Sequence, residues 1–173
     1  MDYFIEQIGR PPRKDELLKM RLYREQDGQC AYSLKPLAPD GDIRRIFESG
    51  QTQVDHVLPY SRSFDDGLNN KVLVLTAVNQ NKGNCTPFEY LDGGNDSLPW
   101  RQFEGWVRGH KVFRKAKRDR LLRKNFSEED ADGFRNRNLN DTRYVTRLFA
   151  GAVRQHLAFA PDESGQVKSK ESR

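Results

Sequence analysis

Three short stretches decide the reading of this chain: Val54-Asp55-His56-Val57-Leu58-Pro59, Asn69-Asn70-Lys71-Val72-Leu73-Val74-Leu75 and Asn79-Gln80-Asn81-Lys82-Gly83-Asn84. They read as a strand ending in Asp-His, a polar loop, an apolar strand, and a turn into a helix that carries an amide. A carboxylate beside a histidine, with a second hard oxygen donor returning on the helix, can gather one divalent cation and one general base around a phosphodiester. Adjacent residues of a regular strand point to opposite faces, so Asp55 and His56 need a bend near Pro59 to serve one site. Taken singly, each residue has a plain structural explanation. An Asp-His pair is often a salt bridge or a cap, an Asn in a helix is often solvated, and Asn-Asn is a turn by default. Asp65 and Asp66 read as loop structure, with contact to the metal as the lesser reading. The joint order of strand, loop, strand and helix is what favours chemistry.

The bulk composition agrees without deciding. The chain has 173 residues, 35% hydrophobic and 32% charged, so its core is small and much of it is wet. A net charge of +5 and a pI near 9.3 favour a polyanionic partner. Only Cys30 and Cys85 are present, a count that excludes a disulfide framework or a four-cysteine zinc site. No apolar run approaches the ~20 residues that span a bilayer. The N-terminus lacks the basic and apolar segments of a secretory signal. The expectation is a cytoplasmic protein with no membrane contact and reduced thiols.

Along the chain, Asp15 begins a helix that ends at Asp27-Gly28. Gln29 to Leu37 reads as a hairpin or knuckle. Strands follow at Gln51 to Asp55 and at Lys71 to Leu75. Thr76 is placed as the N-cap of the helix bearing Asn79, and Gly83 as its end. Asp92 to Asp96 is a loop, after which Trp100, Phe103 and Trp106 recur at helical spacing as a core stripe. Lys111 to Lys124 reads as one strongly basic helix. Ser127 to Gly133 is an acidic break, and Asp141 caps a last helix whose Val145, Leu148, Phe149, Ala152, Val153 and Leu157 share an apolar face. That face serves either docking or closure of the domain's own core. Residues 161–173 read as a disordered tail.

Val54 to Ser61, the Asp65-Asp66 pair, Asn70 to Leu75 and Asn79 to Asn84 closely resemble the HNH nuclease domain of the type II CRISPR effectors, the Cas-nine endonucleases. Thr86-Pro87-Phe88-Glu89-Tyr90 continues the likeness toward the compact II-C subgroup. Leu17 to Tyr23 resembles the segment leading into that domain, and Phe134 to Tyr144 the linker returning toward a RuvC domain. The resemblance implies an α+β, mainly helical fold with a ββα-metal (HNH) core at about 51–84 and additional flanking helices. It implies a lead-in over 1–28, a nuclease domain over 29–126, and a linker and helix over 127–160. Many HNH relatives carry a zinc-binding C-x-x-C, whereas Cys30-Ala31-Tyr32-Ser33 has serine at the second position, so no structural zinc is expected.

The same resemblance assigns roles. His56 matches the general base, and Asp55 and Asn79 match ligands of one Mg²⁺, for which Mn²⁺ can substitute. Asn70 matches the middle residue of the HNH signature, which orients the site and stands with His56 among the catalytic residues. The implied reaction is hydrolysis of the DNA strand paired to guide RNA. The implied partners are that heteroduplex, the RuvC domain of the same parent chain, and a phage anti-CRISPR inhibitor. Lys82, Arg114, Lys117 and Arg118 are the candidate nucleic-acid contacts. Two alternatives stay open: a stand-alone homing or restriction HNH endonuclease, and a non-catalytic nucleic-acid-binding module.

Overall fold

The computed structural model describes residues 2–48, 50–92 and 98–156. The chain divides into two units, residues 1–135 and 136–173. At the centre of the first unit, β1 (Thr52–His56) and β2 (Lys71–Leu75) pair antiparallel. Thr52 lies opposite Leu75, and His56 opposite Lys71. Among the described residues this is the only sheet. The run Val72-Leu73-Val74 suits a strand, being apolar and largely β-branched, and all three residues are fully buried.

A two-stranded ribbon is marginal by itself, and its outer edge still needs hydrogen bonds. Here a side chain supplies them. The buried Gln26 amide accepts from the Leu73 N–H at 2.7 Å and donates to the Leu73 carbonyl at 2.8 Å. The Ala31 N–H donates to the same carbonyl at 3.3 Å, and the Leu75 N–H reaches Cys30 Sγ at 3.4 Å. Helix α2 (Lys14–Glu25) with Gln26 at its end, and the knuckle after it, thus take the place of a third strand.

The remaining elements are helical, giving an α+β fold in which helix dominates. They are α1 (Asp2–Ile8), α2 (Lys14–Glu25), α3 (Tyr60–Ser63), α4 (Thr76–Lys82), α5 (Pro87–Leu91), α6 (Trp100–Gly109), α7 (Lys115–Leu121) and α8 (Glu128–His156). Short 3₁₀ turns span Ile43–Phe47 and Leu68–Asn70. The main core joins Leu22, Tyr32, Ile46, Val57 and the β2 residues to Phe103, Phe113 and Leu121. The aromatic stripe of α6 belongs to it: Trp100 and Phe103 are buried and Trp106 packs against them. A smaller cluster of Phe4, Met20 and Ile43 seats α1.

Five sequence expectations change. Helix α2 begins at Lys14 with Arg13 at the cap position, so Asp15 lies in its first turn and neither starts nor caps it. β1 runs one residue further than read, through His56. Thr76 is the first helical residue of α4 rather than its cap; Leu75 holds the cap position, and Thr76 Oγ1 is buried without a hydrogen-bond partner. Lys111 to Lys124 is not one helix, because α7 covers only Lys115–Leu121. Asp141 starts nothing, because α8 runs unbroken from Glu128. Its true start lies in the acidic stretch read as a break. The Asp130 N–H donates to Ser127 Oγ at 3.2 Å, and the Ser127 N–H to Asp130 Oδ2 at 3.3 Å, a reciprocal cap. Three acids in the first turn then face the positive end of the helix dipole.

In the second unit Tyr144, Val145, Leu148 and Phe149 are all more than half exposed. The readings at 93–97, Leu157 and the 161–173 tail lie outside the described residues. Among the described residues no helix is long and apolar enough to cross a membrane.

Gln26→Leu keeps the volume of the buried side chain but leaves the Leu73 N–H without its bond and the carbonyl with one donor fewer. Each unpaired buried group costs about 1–3 kcal/mol. Urea unfolding of the variant should show a loss of at least that size with an unchanged m-value.

Candidate functional site

The site is built from one face of β1 and the helix laid over it. Gln53 and Asp55, two apart on the strand, share a face. Asn79 and Lys82, three apart on α4, also share a face. The two faces meet: Asn79 Nδ2 donates to Gln53 Oε1 at 2.7 Å, and Lys82 Nζ lies 2.9 Å from Asp55 Oδ2. Local sequence makes this possible, because α4 follows β2 with no intervening loop and Gly83 ends it at φ 52°, in the left-handed region.

Asp55 is tightly held. Its Oδ2 also accepts from the Tyr32 hydroxyl at 2.7 Å, so a phenol and an ammonium converge on one oxygen. The Asp55 side chain keeps 11% of its exposure, and that of Lys82 keeps none. Lys82 Nζ donates further to the His56 carbonyl at 3.2 Å, tying the backbone of the next residue to the same charge. Burial, then the Asp55 charge, pushes the Tyr32 phenol well above its ordinary range, so it remains a donor.

His56 closes the strand. Its Nε2 lies 2.8 Å from Asp66 Oδ1, and its ring sits 5.4 Å from that of Tyr60, centroid to centroid. Asp66 also meets Lys71 Nζ at 2.7 Å. Lys71 first, and His56 second, hold the Asp66 carboxyl below its ordinary range. The cross-strand partners His56 and Lys71 therefore share one carboxylate.

Asn70 works from below. It has no exposed surface. Its Oδ1 accepts from the Leu58 N–H at 2.8 Å, while its Nδ2 donates to the Leu58 carbonyl at 2.9 Å and the Asp65 carbonyl at 2.8 Å. Its own carbonyl takes the Val57 N–H at 2.8 Å. One buried amide thus extends the β1–β2 pairing past His56 and shapes the loop back to Asp66. Arg62, in α3, fixes the far side of that loop through Glu89 and the Phe126 carbonyl.

The residue types fit a hard divalent ion. Asp55 and Asn79 bring a carboxylate and an amide to one face, and their Oδ2 and Nδ2 atoms are already committed to protein partners. Oδ1 of each is the atom left for a cation. An oxygen pair of this kind, completed by water, suits Mg²⁺. Among the described residues no group of three or more His, Cys, Asp or Glu side chains could hold a metal. Asp55 and Asn79 are the residues that could hold such an ion, through a carboxylate and an amide oxygen.

Asp55 and Asn79 thus lie on the contact between β1 and α4, through Lys82 and Gln53, while the His56 ring at the strand end meets Asp66 and Tyr60 and Asn70 braces the backbone that follows. Two of the expected nucleic-acid contacts are turned inward instead. Lys82 is spent on Asp55. The Lys117 side chain is wholly enclosed, 2.7 Å from Glu25 Oε2 and 2.8 Å from the Lys71 carbonyl. Burial draws its ammonium below the ordinary range, against the opposing pull of Glu25. Arg114 is exposed and Arg118 half-buried. Sequence reasoning missed Tyr32, treated only as part of a thiol-poor knuckle, and gave Asp66 to loop structure. The available signal was the second of two adjacent acids ten residues after His56.

Lys82→Met leaves the Asp55 charge enclosed without its cation. Removing one partner of a buried pair typically costs about 3–5 kcal/mol. Thermal or urea unfolding should show a loss of that order, much larger than for Lys111→Met at an exposed position.

Comparison with known proteins gives the family. Residues 30–88 match the family model described as HNH endonuclease. The chain is 40% identical over 156 residues to the CRISPR-associated endonuclease Cas9 of Campylobacter jejuni, covering 90% of the chain and 15% of that protein. It is 38% identical over 145 residues to Cas9 1 of Streptococcus thermophilus, covering 80% and 12%. The structure of S. thermophilus Cas9 in complex with the GGAA PAM superposes with a TM-score of 0.66 at 33% identity, over 90% of this chain and 15% of that one. The chain therefore spans less than a sixth of either of these two Cas9 proteins. With a ββα core that carries the Asp-His, Asn and Asn positions in order, it belongs to the HNH nuclease domains of the type II Cas9 family.

Proposed function

We propose that this chain is the Mg²⁺-dependent nuclease domain that cleaves the DNA strand paired to guide RNA within a larger Cas9 enzyme. One observation carries the reading. Support comes from the contact of α4 with β1, in which Asn79 meets Gln53 and Lys82 meets Asp55 on the strand whose last residue is His56. Identity of 38–40% to Cas9 proteins, over only 12–15% of their length, supports a domain of such an enzyme over a stand-alone homing or restriction nuclease.

In the proposed reaction His56 removes a proton from the attacking water. A proton on Nε2, donated to Asp66, leaves Nδ1 as the basic nitrogen. Asp66, itself steadied by Lys71, orients the ring. Asn70 holds the backbone after His56 and so keeps the ring at the strand end; its contribution is positional. Asp55 and Asn79 would hold the cation, which supplies charge neutralisation at phosphorus and at the leaving 3′-oxygen. We further propose that residues 29–126 form the nuclease body and that 127–160 connect it to a RuvC domain. Arg114 and Arg118 remain as contacts to duplex phosphate, with the exposed Lys111 and Lys115 beside them.

Two measurements test this reading. His56→Ala should lower Mg²⁺-dependent nicking about 10²–10⁴-fold at neutral pH with the fold intact, the usual value of general-base assistance. Equal cutting by both proteins would eliminate His56 as the base, and loss of cutting without loss of binding separates the enzyme from a mere binding module. For the basic surface, each lost phosphate contact should flatten the log–log salt dependence of duplex binding by about 0.9. Replacing Arg114 and Arg118 by Ala should therefore reduce the slope by up to about 2. Replacing Lys117 should leave the slope unchanged.

A further inference from the structure

We propose that Tyr32 is a positioning residue for the cation site, its phenol fixing the Asp55 carboxylate so that Oδ1 is the ligating oxygen. The inference rests on the cation-site reading above and deepens it. Tyr32 is 1% exposed and donates to Asp55 Oδ2 at 2.7 Å. A phenylalanine would fill the same space among Tyr90 and Phe103, whose rings stand 6.5 and 6.2 Å from it. The hydroxyl is therefore not needed for packing. Burying it costs free energy that its bond to Asp55 must offset.

Both donors to Oδ2 are buried, but they act differently. Lys82 has a long flexible stem and divides its ammonium between Asp55 and the His56 carbonyl. It supplies charge. Tyr32 has two side-chain torsions and a ring wedged in the core, so it supplies direction.

The backbone beneath Tyr32 is equally constrained. The Cys30 N–H bonds the Lys35 carbonyl at 2.8 Å, the Leu34 N–H bonds the Cys30 carbonyl at 2.9 Å, and the Ala31 N–H bonds the β2 residue Leu73 at 3.3 Å. Leu34, at φ 54°, turns the chain through the left-handed region to complete the knuckle. The knuckle has one thiol where a metal-binding one has two, yet its backbone is tied to the sheet that carries the site. Its remaining task is to deliver Tyr32 to Asp55. Partners that orient a metal's direct ligands are typically worth about 10–100-fold in metal affinity.

The test is a Mn²⁺ titration of the chain and of Tyr32→Phe, followed by paramagnetic broadening of the amides of Gln53 to His56 and Asn79 to Lys82. Far-UV circular dichroism and urea unfolding run alongside. The inference expects Mn²⁺ binding about 10–100-fold weaker in the variant while unfolding stays cooperative. Equal affinity in the two proteins overturns the role of Tyr32 and leaves the cation site standing. No broadening at these residues in the unsubstituted chain overturns the cation site, and the role of Tyr32 with it. A second measurement needs no substitution and covers a variant that fails to fold. The Tyr32 ring resonances of the unsubstituted chain should shift on adding Mg²⁺, and resonances unmoved at saturation would sink the inference.

Discussion

The arrangement depends on a carboxylate that must be charged, nearly enclosed and still available. Asp55 keeps only 11% of its side-chain exposure. A carboxylate so placed needs both a counter-charge and hydrogen bonds. Lys82 and Tyr32 provide them from opposite ends of the sequence motif, one from the last turn of α4 and one from a knuckle before β1. Neither can reach unless its own element is held in place. The direct passage from β2 into α4, the Gln26 amide on the edge of β2, and the knuckle bonds to Leu73 and Leu75 are all constraints of this kind. The small sheet matters as the frame that brings these two donors to one oxygen.

His56 is the more open counterpart of this anchor, with 27% of its side-chain exposure kept against 11% for Asp55. It follows Asp55 directly, and its carbonyl shares Lys82 with the Asp55 carboxylate. Its ring answers to a different set of partners, Asp66, Lys71 and Tyr60. The alternation of a strand thus separates the anchored carboxylate, the proposed ligand, from the imidazole proposed as the base. Asn70 joins the two halves by pairing with the Leu58 backbone and the Asp65 carbonyl, which keeps the strand end and the returning loop in one register.

The basic stretch shows that charge in a sequence is not charge at a surface. Lys117 is paired with Glu25, Arg120 with Asp65, and Arg123 with Asp130. These pairs fasten α7 and the chain after it to α2, to the loop before Asn70, and to the start of α8. The cations left outward lie mainly at Lys111, Arg114 and Lys115, before α7 and at its first turn. A net charge of +5 therefore overstates what α7 itself offers a phosphate backbone.

Residues near one another in the chain carry their information locally, and those parts were legible from the sequence. The strand Lys71 to Leu75, the glycine ending α4 and the aromatic stripe of α6 follow from period and turn chemistry, which depend on a few neighbouring residues, while the roles given to Asp55, His56, Asn70 and Asn79 rest on the resemblance of their motifs. Partnership across the chain has no such local trace. Lys82 looked like a phosphate contact until the fold placed it on Asp55, 27 residues earlier in the sequence. Tyr32 looked like the remnant of a metal knuckle until the fold set its hydroxyl on the same oxygen. Asp141 and the acidic stretch exchanged roles because a helix start is decided by which side chain meets the free N–H groups, and Ser127 with Asp130 does so first. The sequence by itself determined the residue types of the site and their order along strand and helix. Only the tertiary structure decided which charges are spent holding the site together and which remain outside, because burial and pairing belong to the packed chain and not to any segment of it.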